Sequence, residues 1–300
     1  MRTFGMLRAG IGAMVAAAAL VVTTAVPAGA ITGDYVRDIE HPFVGLVVFY
    51  DDKGAFHHRC SGALLTPTVF LTAGHCTAGA TTARVYFQQD AGANWSPETG
   101  KDDPTTGYPN TCAGETEGAL CATSRELHDY GFKGLDAVPE TRDAGLVILA
   151  QPIELAEYAS LAAAGTLDAL AARRGQQETT FTASGYGVSE VNPVSTASFR
   201  ERLMAESRLT NLTSASNDGY NVQTNGNGKD RGGTCSADSG GPLFYGSFTS
   251  NIITGITSFG HSRYCKGTGF SYRTDRQEVI DWITSVAGDE KITVEPLPAG

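Results

Sequence analysis

None of the six cysteines forms a C-x-x-C pair, so the usual scaffold of a structural zinc site is missing. Basic residues are also scarce: 22 Lys and Arg stand against 32 Asp and Glu, for a formal charge of −10. That balance disfavours nucleic acid and anionic membrane as partners. No apolar run reaches the about 20 residues that a membrane span requires. The acids of residues 90 to about 125 (Asp102, Asp103, Glu115, Glu117) could gather around calcium, but they lack EF-hand spacing. No metal and no cofactor are therefore expected, and a soluble monomer is.

The chain opens with Arg2 and Arg8, a short alanine-rich apolar run from Ile11 to Val22, and Ala28-Gly29-Ala30. This is the grammar of a secretory signal peptide with a small-residue cleavage site. Residues 1–30 are expected to be removed, the mature chain to begin near Ile31, and the product to be secreted and extracellular. Losing Arg2 and Arg8 takes the formal charge from −10 to −12. An exported chain keeps its disulfides, and six cysteines suggest three, with 15 pairings open.

The next stretches alternate short β-prone runs with turns. Phe43 to Tyr50, Phe56 to Leu65, Val69 to Leu71, Arg84 to Phe87 and Ala144 to Ala150 predict strands. Residues 90 to about 125 are rich in Gly, Pro, Asp, Asn and Thr and predict a long surface insertion, stapled locally by Cys112 and Cys121. Leu161 to Arg174 predicts a short connecting helix ended by Gly175. Thr179 to Ala183, Leu203 to Leu209, Leu243 to Tyr245, Ile252 to Phe259 and Phe270 to Tyr272 form a second set of strands. Many short strands split by Gly-rich turns point to barrels or sandwiches. A final amphipathic helix presents Val279, Trp282, Ile283 and Val286 on one face, is capped by Thr274 or Asp275, and ends at Gly288. Residues 289–300 form a polar tail with no assigned structure.

Three motifs carry the chemistry. Thr234-Cys235-Ser236-Ala237-Asp238-Ser239-Gly240-Gly241-Pro242-Leu243 sets a hydroxyl beside a carboxylate on a glycine turn. Serine is a weak nucleophile without a base, and the base needs an orienting acid. Leu71-Thr72-Ala73-Gly74-His75-Cys76 and Asp143-Ala144-Gly145-Leu146 offer both. Taken singly, His75 could be structural, Asp143 a strand cap and Ser239 a turn hydroxyl. Taken in order they run His, Asp, Ser, whereas an α/β-hydrolase needs Ser, acid, His. Between Ser239 and the last histidine, His261, there is no Asp or Glu. His57 and His58 lie beside Cys60 without a spaced metal partner.

With Cys60-Ser61-Gly62-Ala63-Leu64-Leu65, Ser184-Gly185-Tyr186-Gly187 and Ser258-Phe259-Gly260 added, the sequence resembles the chymotrypsin/trypsin family of secreted serine proteases, in its bacterial type, over nearly the whole mature chain. The resemblance implies an all-β fold of two six-stranded antiparallel barrels with a C-terminal α-helix. Residues 31–160 would carry His75 and Asp143, and residues 161–288 would carry Ser239. It implies disulfides Cys60–Cys76 and Cys235–Cys265, and a catalytic triad of His75, Asp143 and Ser239. The backbone N–H groups of Ala237 and Ser239 would form the oxyanion hole. Gly233, Thr234, Ser258, Phe259, Gly260 and Gly269 would bind substrate. The activating ion pair would join the Ile31 amine to Asp238.

Two departures qualify the resemblance. The family nearly always has glycine where Ala237 stands. If the N–H there is aimed by a positive φ, alanine costs about 1–2 kcal/mol. Reduced efficiency or a local adjustment is the expectation. Gly233 occupies the place where trypsin-like members keep an Asp that selects Arg or Lys. An uncharged, roomy pocket suits large apolar or aromatic side chains of protein or peptide substrates. The competing reading is a protease-fold binding protein with weak or no catalytic activity.

Overall fold

The structure, a computed structural model, describes residues 31–93, 98, 120–171, 178–198 and 200–298. The expected signal peptide, Cys112 and the acids proposed for calcium lie outside the described residues. So does the span 172–177, and with it the expected end of the connecting helix.

Six strands close the first barrel: β1 (Val44–Tyr50), β2 (Phe56–Leu64), β3 (Val69–Thr72), β4 (Thr82–Tyr86), β5 (Cys121–Asp129) and β6 (Gly145–Leu149). Their order is β1-β2-β3-β6-β5-β4, and β4 returns to β1. Every residue of β1, β3 and β6 is buried. Those runs are continuously apolar rather than alternating, because both of their faces are covered.

The second barrel uses β7 (Thr180–Gly185), β8 (Leu203–Asn211), β9 (Asn221–Asn225), β10 (Pro242–Tyr245), β11 (Ile252–Gly260) and β12 (Thr268–Arg273). The ring runs β10-β7-β8-β9-β12-β11 and closes by the pairing of β10 with β11. All neighbours within each ring are antiparallel. The expected fold class is what the chain adopts, with a short helix α1 (Gly74–Thr77), a connecting helix α2 (Thr166–Ala171) and the terminal helix α3 (Gln277–Ala287).

Several local expectations are corrected. The connecting helix is shorter at its start, because Ser160–Ala162 is a strand that pairs in parallel with Ile252 and Ile253. Leu161 and Ala162 are fully buried there, and burial of an apolar pair overrides the helical tendency of the alanine-rich run. The polar tail is not structureless: Val294–Glu295 adds in parallel to the same short strand. Neither Thr274 nor Asp275 caps α3, which begins after Arg276 with no side-chain cap. The hydroxyl of Thr274 donates to the carbonyl of Ile253. Asp275 is fully buried, binds both Nε and Nη2 of Arg273 at 2.8 and 2.9 Å, and accepts the N–H of Leu167. Gly288 ends α3 at φ 65°, as expected.

The barrels are tied across their seam by Arg202, a buried residue of the second half. Its guanidinium donates to the carbonyls of Asp38, Val44 and Phe87 and to the Tyr186 hydroxyl. Nε and Nη1 thereby have acceptors in the interior, which is what a buried arginine requires. The N-terminal segment also crosses to the second barrel: Thr32–Gly33 pairs with Gly232–Gly233, and Val36–Arg37 pairs with Met204 and Leu203.

Candidate active site

His75 sits on α1, the one-turn helix that follows β3. Asp143 lies just before β6, the neighbour of β3 in the barrel. That pairing brings the two loops together. The Asp143 carboxylate is fully buried and serves three donors. It accepts the backbone N–H of His75 at 2.7 Å, the ring Nδ1 at 2.9 Å, and the hydroxyl of Ser258. With the proton on Nδ1 directed at Asp143, the imidazole presents its Nε2 lone pair away from the acid. The Cys60–Cys76 disulfide ties β2 to the residue next to His75. Cys60, His75 and Cys76 are the one metal-sized grouping of such side chains among the described residues. Both of its sulfurs are spent in the disulfide, so it offers no thiolate.

Ser239 stands on the turn that opens β10. Its carbonyl accepts the N–H of Ser61, and the next N–H, from Gly240, reaches the carbonyl of Thr257. Gly240 has φ 82°, and a Cβ there would meet Thr72 Oγ1 at 2.1 Å and the Ser61 carbonyl at 2.4 Å. Only glycine allows that approach. Ser239 and His75 line one cavity, which holds about 280 Å³. No hydrogen bond joins Ser239 Oγ to Nε2; such bonds are commonly long without substrate and tighten when it binds.

Ala237 adopts φ 70°, the left-handed conformation anticipated for this position. Its carbonyl accepts the Ser61 hydroxyl at 2.9 Å, which pins the peptide plane. The N–H groups of Ala237 and Ser239 donate to no other described residue. An alanine held at this φ is strained in the resting protein. Ala237→Gly is accordingly expected to raise stability by about 0.5–1 kcal/mol. Urea denaturation of both proteins is the check, and an unchanged or lower midpoint would count against the strain.

Asp238 is fully buried, and its carboxylate accepts the N–H groups of Cys235 and Gly187 at 2.8 Å each. Gly187 must be glycine, since a Cβ would lie 2.5 Å from Asp238 Cγ. Burial pushes the Asp238 carboxyl up to about 7, against the lowering effect of those two N–H groups and of nearby Arg59. Ile31 is also fully buried, packed with Leu167, Phe181 and Leu243, but no ion pair or hydrogen bond joins it to Asp238. In the full chain Ile31 carries a neutral amide rather than an ammonium, so it has no charge to offer.

The expected substrate-binding residues converge. Gly233, Thr234, Ser258, Phe259, Gly260 and Gly269 all line the cavity of His75 and Ser239. Cys235–Cys265 closes one wall of it. Cys121 is disulfide-bonded, while its expected partner, Cys112, lies outside the described residues.

Two features escaped the sequence reading. Arg59 is beside Asp238 and donates to the Tyr186 carbonyl and the Ser198 hydroxyl; burial and nearby Arg200 lower its pKa to about 10, leaving it charged at neutral pH. Its place beside Cys60 in the histidine block was the available signal. The second is a buried pair, His41 Nδ1 to Asp38 Oδ1 at 2.8 Å, with Ser184 donating to the same carboxylate. Here the serine bonds the acid rather than the imidazole, and all three side chains are sealed from solvent, which makes the group structural.

Comparison with known proteins agrees with this architecture. The family model described as Trypsin matches residues 30–283, and the chain belongs to the trypsin family of serine proteases. It is similar to Trypsin zeta of Drosophila erecta, with 36% identity over 84 residues. That stretch is 27% of this chain and spans 28% of the relative's length. Solved structures share the fold at low identity. HL collagenase has a TM-score of 0.60 at 18% identity, covering 87% of this chain and all of that one. An inactivated protease paralogue of the scabies mite, S-D1, has 0.58 at 14%, covering 89% of this chain and all of the paralogue. GrC has 0.59 at 16%, covering 85% and 97%.

Proposed function

We propose that this trypsin-family protein is an extracellular serine endopeptidase acting as a monomer on protein or peptide substrates. The observation that carries the reading is the Asp143 carboxylate, which grips His75 at both its backbone N–H and its Nδ1. That grip fixes the tautomer needed for Nε2 to act as a base. Ser239 then attacks the peptide carbonyl as its proton passes to Nε2, and the oxyanion forms against the N–H groups of Ala237 and Ser239. The protonated His75 gives its proton to the leaving amine, with Asp143 stabilising the imidazolium. Water, activated by the same base, releases the acyl group from Ser239.

Activation follows from Asp238. Signal-peptide removal after Ala30 creates an Ile31 ammonium, which neutralises Asp238 and orders the turn that aims the oxyanion donors. Gly233 leaves the specificity pocket without charge, which suits a large apolar or aromatic side chain before the cleaved bond. The rival reading, a binding protein on a protease scaffold, rests on Ala237. Hydrolysis of an unfolded protein by the form beginning at Ile31, with Ser239→Ala as control, tests the proposal. Cleavage abolished by the substitution is expected, whereas no cleavage by either protein favours the binding role.

A further inference from the structure

The cavity beside Ser239 is deeper than a groove for the substrate backbone. Gly226, Gly233 and Gly269 put no side chain into it, so it runs from His75 and Ser239 to Ala183 and Leu243 in the second barrel's core. Its floor, however, is not hydrocarbon. Ser207, Thr224 and Ser271 are buried residues lining the same cavity, and no side-chain hydrogen bond joins their hydroxyls to another described residue. Thr257, also in the lining, has its Oγ1 buried without a partner. The single charged lining residue among those described, Lys266, is exposed, so no charge sits at the floor.

Of these hydroxyls only Thr257 Oγ1 is sealed without a partner; those of Ser207, Thr224 and Ser271 open on the cavity, where water or a ligand supplies the bond. A purely apolar side chain entering this cavity would strip water from the hydroxyls and return nothing. A side chain ending in a hydroxyl or amide would satisfy them, and a site built to hydrogen-bond its substrate discriminates strongly against the analogue lacking that group.

Resting on the endopeptidase reading, we infer that the pocket selects an uncharged side chain with a hydrogen-bonding tip, tyrosine or glutamine. Ser207, Thr224 and Thr257 are then its specificity-determining residues. The preference for a large, uncharged body is retained, but phenylalanine and leucine rank below their polar-tipped counterparts.

The test uses the form beginning at Ile31 and peptides that differ only in the residue before the cleaved bond: Tyr against Phe, Gln against Met, with Arg and Glu alongside. The expected kcat/KM ratios for Tyr over Phe and for Gln over Met are at least about 30-fold. Ratios near one, or a preference for Arg or Glu, overturn the inference and leave the endopeptidase reading standing. No hydrolysis of any peptide, together with no covalent labelling of Ser239, overturns both. Thr224→Val and Thr257→Val keep the shape of the side chain and remove the hydroxyl. Each is expected to pull the Tyr-to-Phe ratio toward one. Ser239 labelling shows that each variant remains folded, and a ratio unchanged in both folded variants overturns the assignment to these residues.

Discussion

Asp143→Asn lowers kcat by about 10⁴-fold while leaving the fold intact; this is the expected result. The amide is nearly isosteric: its oxygen, in the place of Oδ1, still accepts the backbone N–H of His75, while its NH₂ takes the place of Oδ2, where the Ser258 hydroxyl turns from donor to acceptor. What changes is the proton on His75. An asparagine NH₂ facing Nδ1 makes that nitrogen an acceptor and moves the ring proton to Nε2, where the base is needed. The imidazolium also loses its counter-charge. A kcat measurement across pH, with thermal denaturation of both proteins, checks it. A loss below about tenfold would show that Asp143 holds the loop rather than the chemistry.

The second large effect concerns the chain's new N-terminus. A form retaining Ala30 and the residues before it is expected to hydrolyse peptides roughly 10²–10³-fold more slowly than the form beginning at Ile31, the cost of losing one oxyanion donor. The two forms should also differ in stability as pH changes. With burial holding its carboxyl at about 7, Asp238 in the extended form binds its proton more tightly folded than unfolded. The contribution is fully present below the unfolded carboxyl's pKa of about 4 and is lost as pH rises through about 7. The extended form therefore loses on the order of a few kcal/mol over that window. An Ile31 ammonium favours the ionised carboxylate and removes the loss, so the gap between the forms widens from about pH 4 to 7. It closes again once the amine loses its own proton. Denaturant midpoints at pH 4, 5.5 and 7 for both forms give the answer, and parallel curves would remove the Ile31–Asp238 pair from the account.

The legible parts of the molecule were those where local residue type and geometry agree. Continuous apolar runs such as Val44–Tyr50 and Gly145–Leu149 became strands buried on both faces. The polar strand Asn221–Asn225 was missed, because nothing in Asn-Val-Gln-Thr-Asn alternates clearly; its neighbours β8 and β12 make it a strand. Cys121–Asp129 was partly absorbed into the preceding loop for the same reason. At the site, the order of His75, Asp143 and Ser239 was legible in the motifs, and the family resemblance, with glycine usual at the Ala237 position, raised the positive φ that Ala237 adopts. The third donor to Asp143 depended on β11 crossing behind it. Arg59 beside Asp238 and the hydroxyls of Ser207, Thr224 and Thr257 in one cavity are also products of tertiary closure. Those residues are far apart in sequence, and no pattern within a window of the chain joins them.

The most direct measurement is covalent labelling of the form beginning at Ile31 with a fluorophosphonate, followed by mapping of the modified residue. A hydroxyl is phosphonylated rapidly only when a base takes its proton and donors hold the developing oxyanion. Stoichiometric label on Ser239, lost in Ser239→Ala and strongly slowed in Asp143→Asn, is the predicted result. A folded protein beginning at Ile31 that takes no label at Ser239 would contradict the account and leave a binding protein on a protease scaffold.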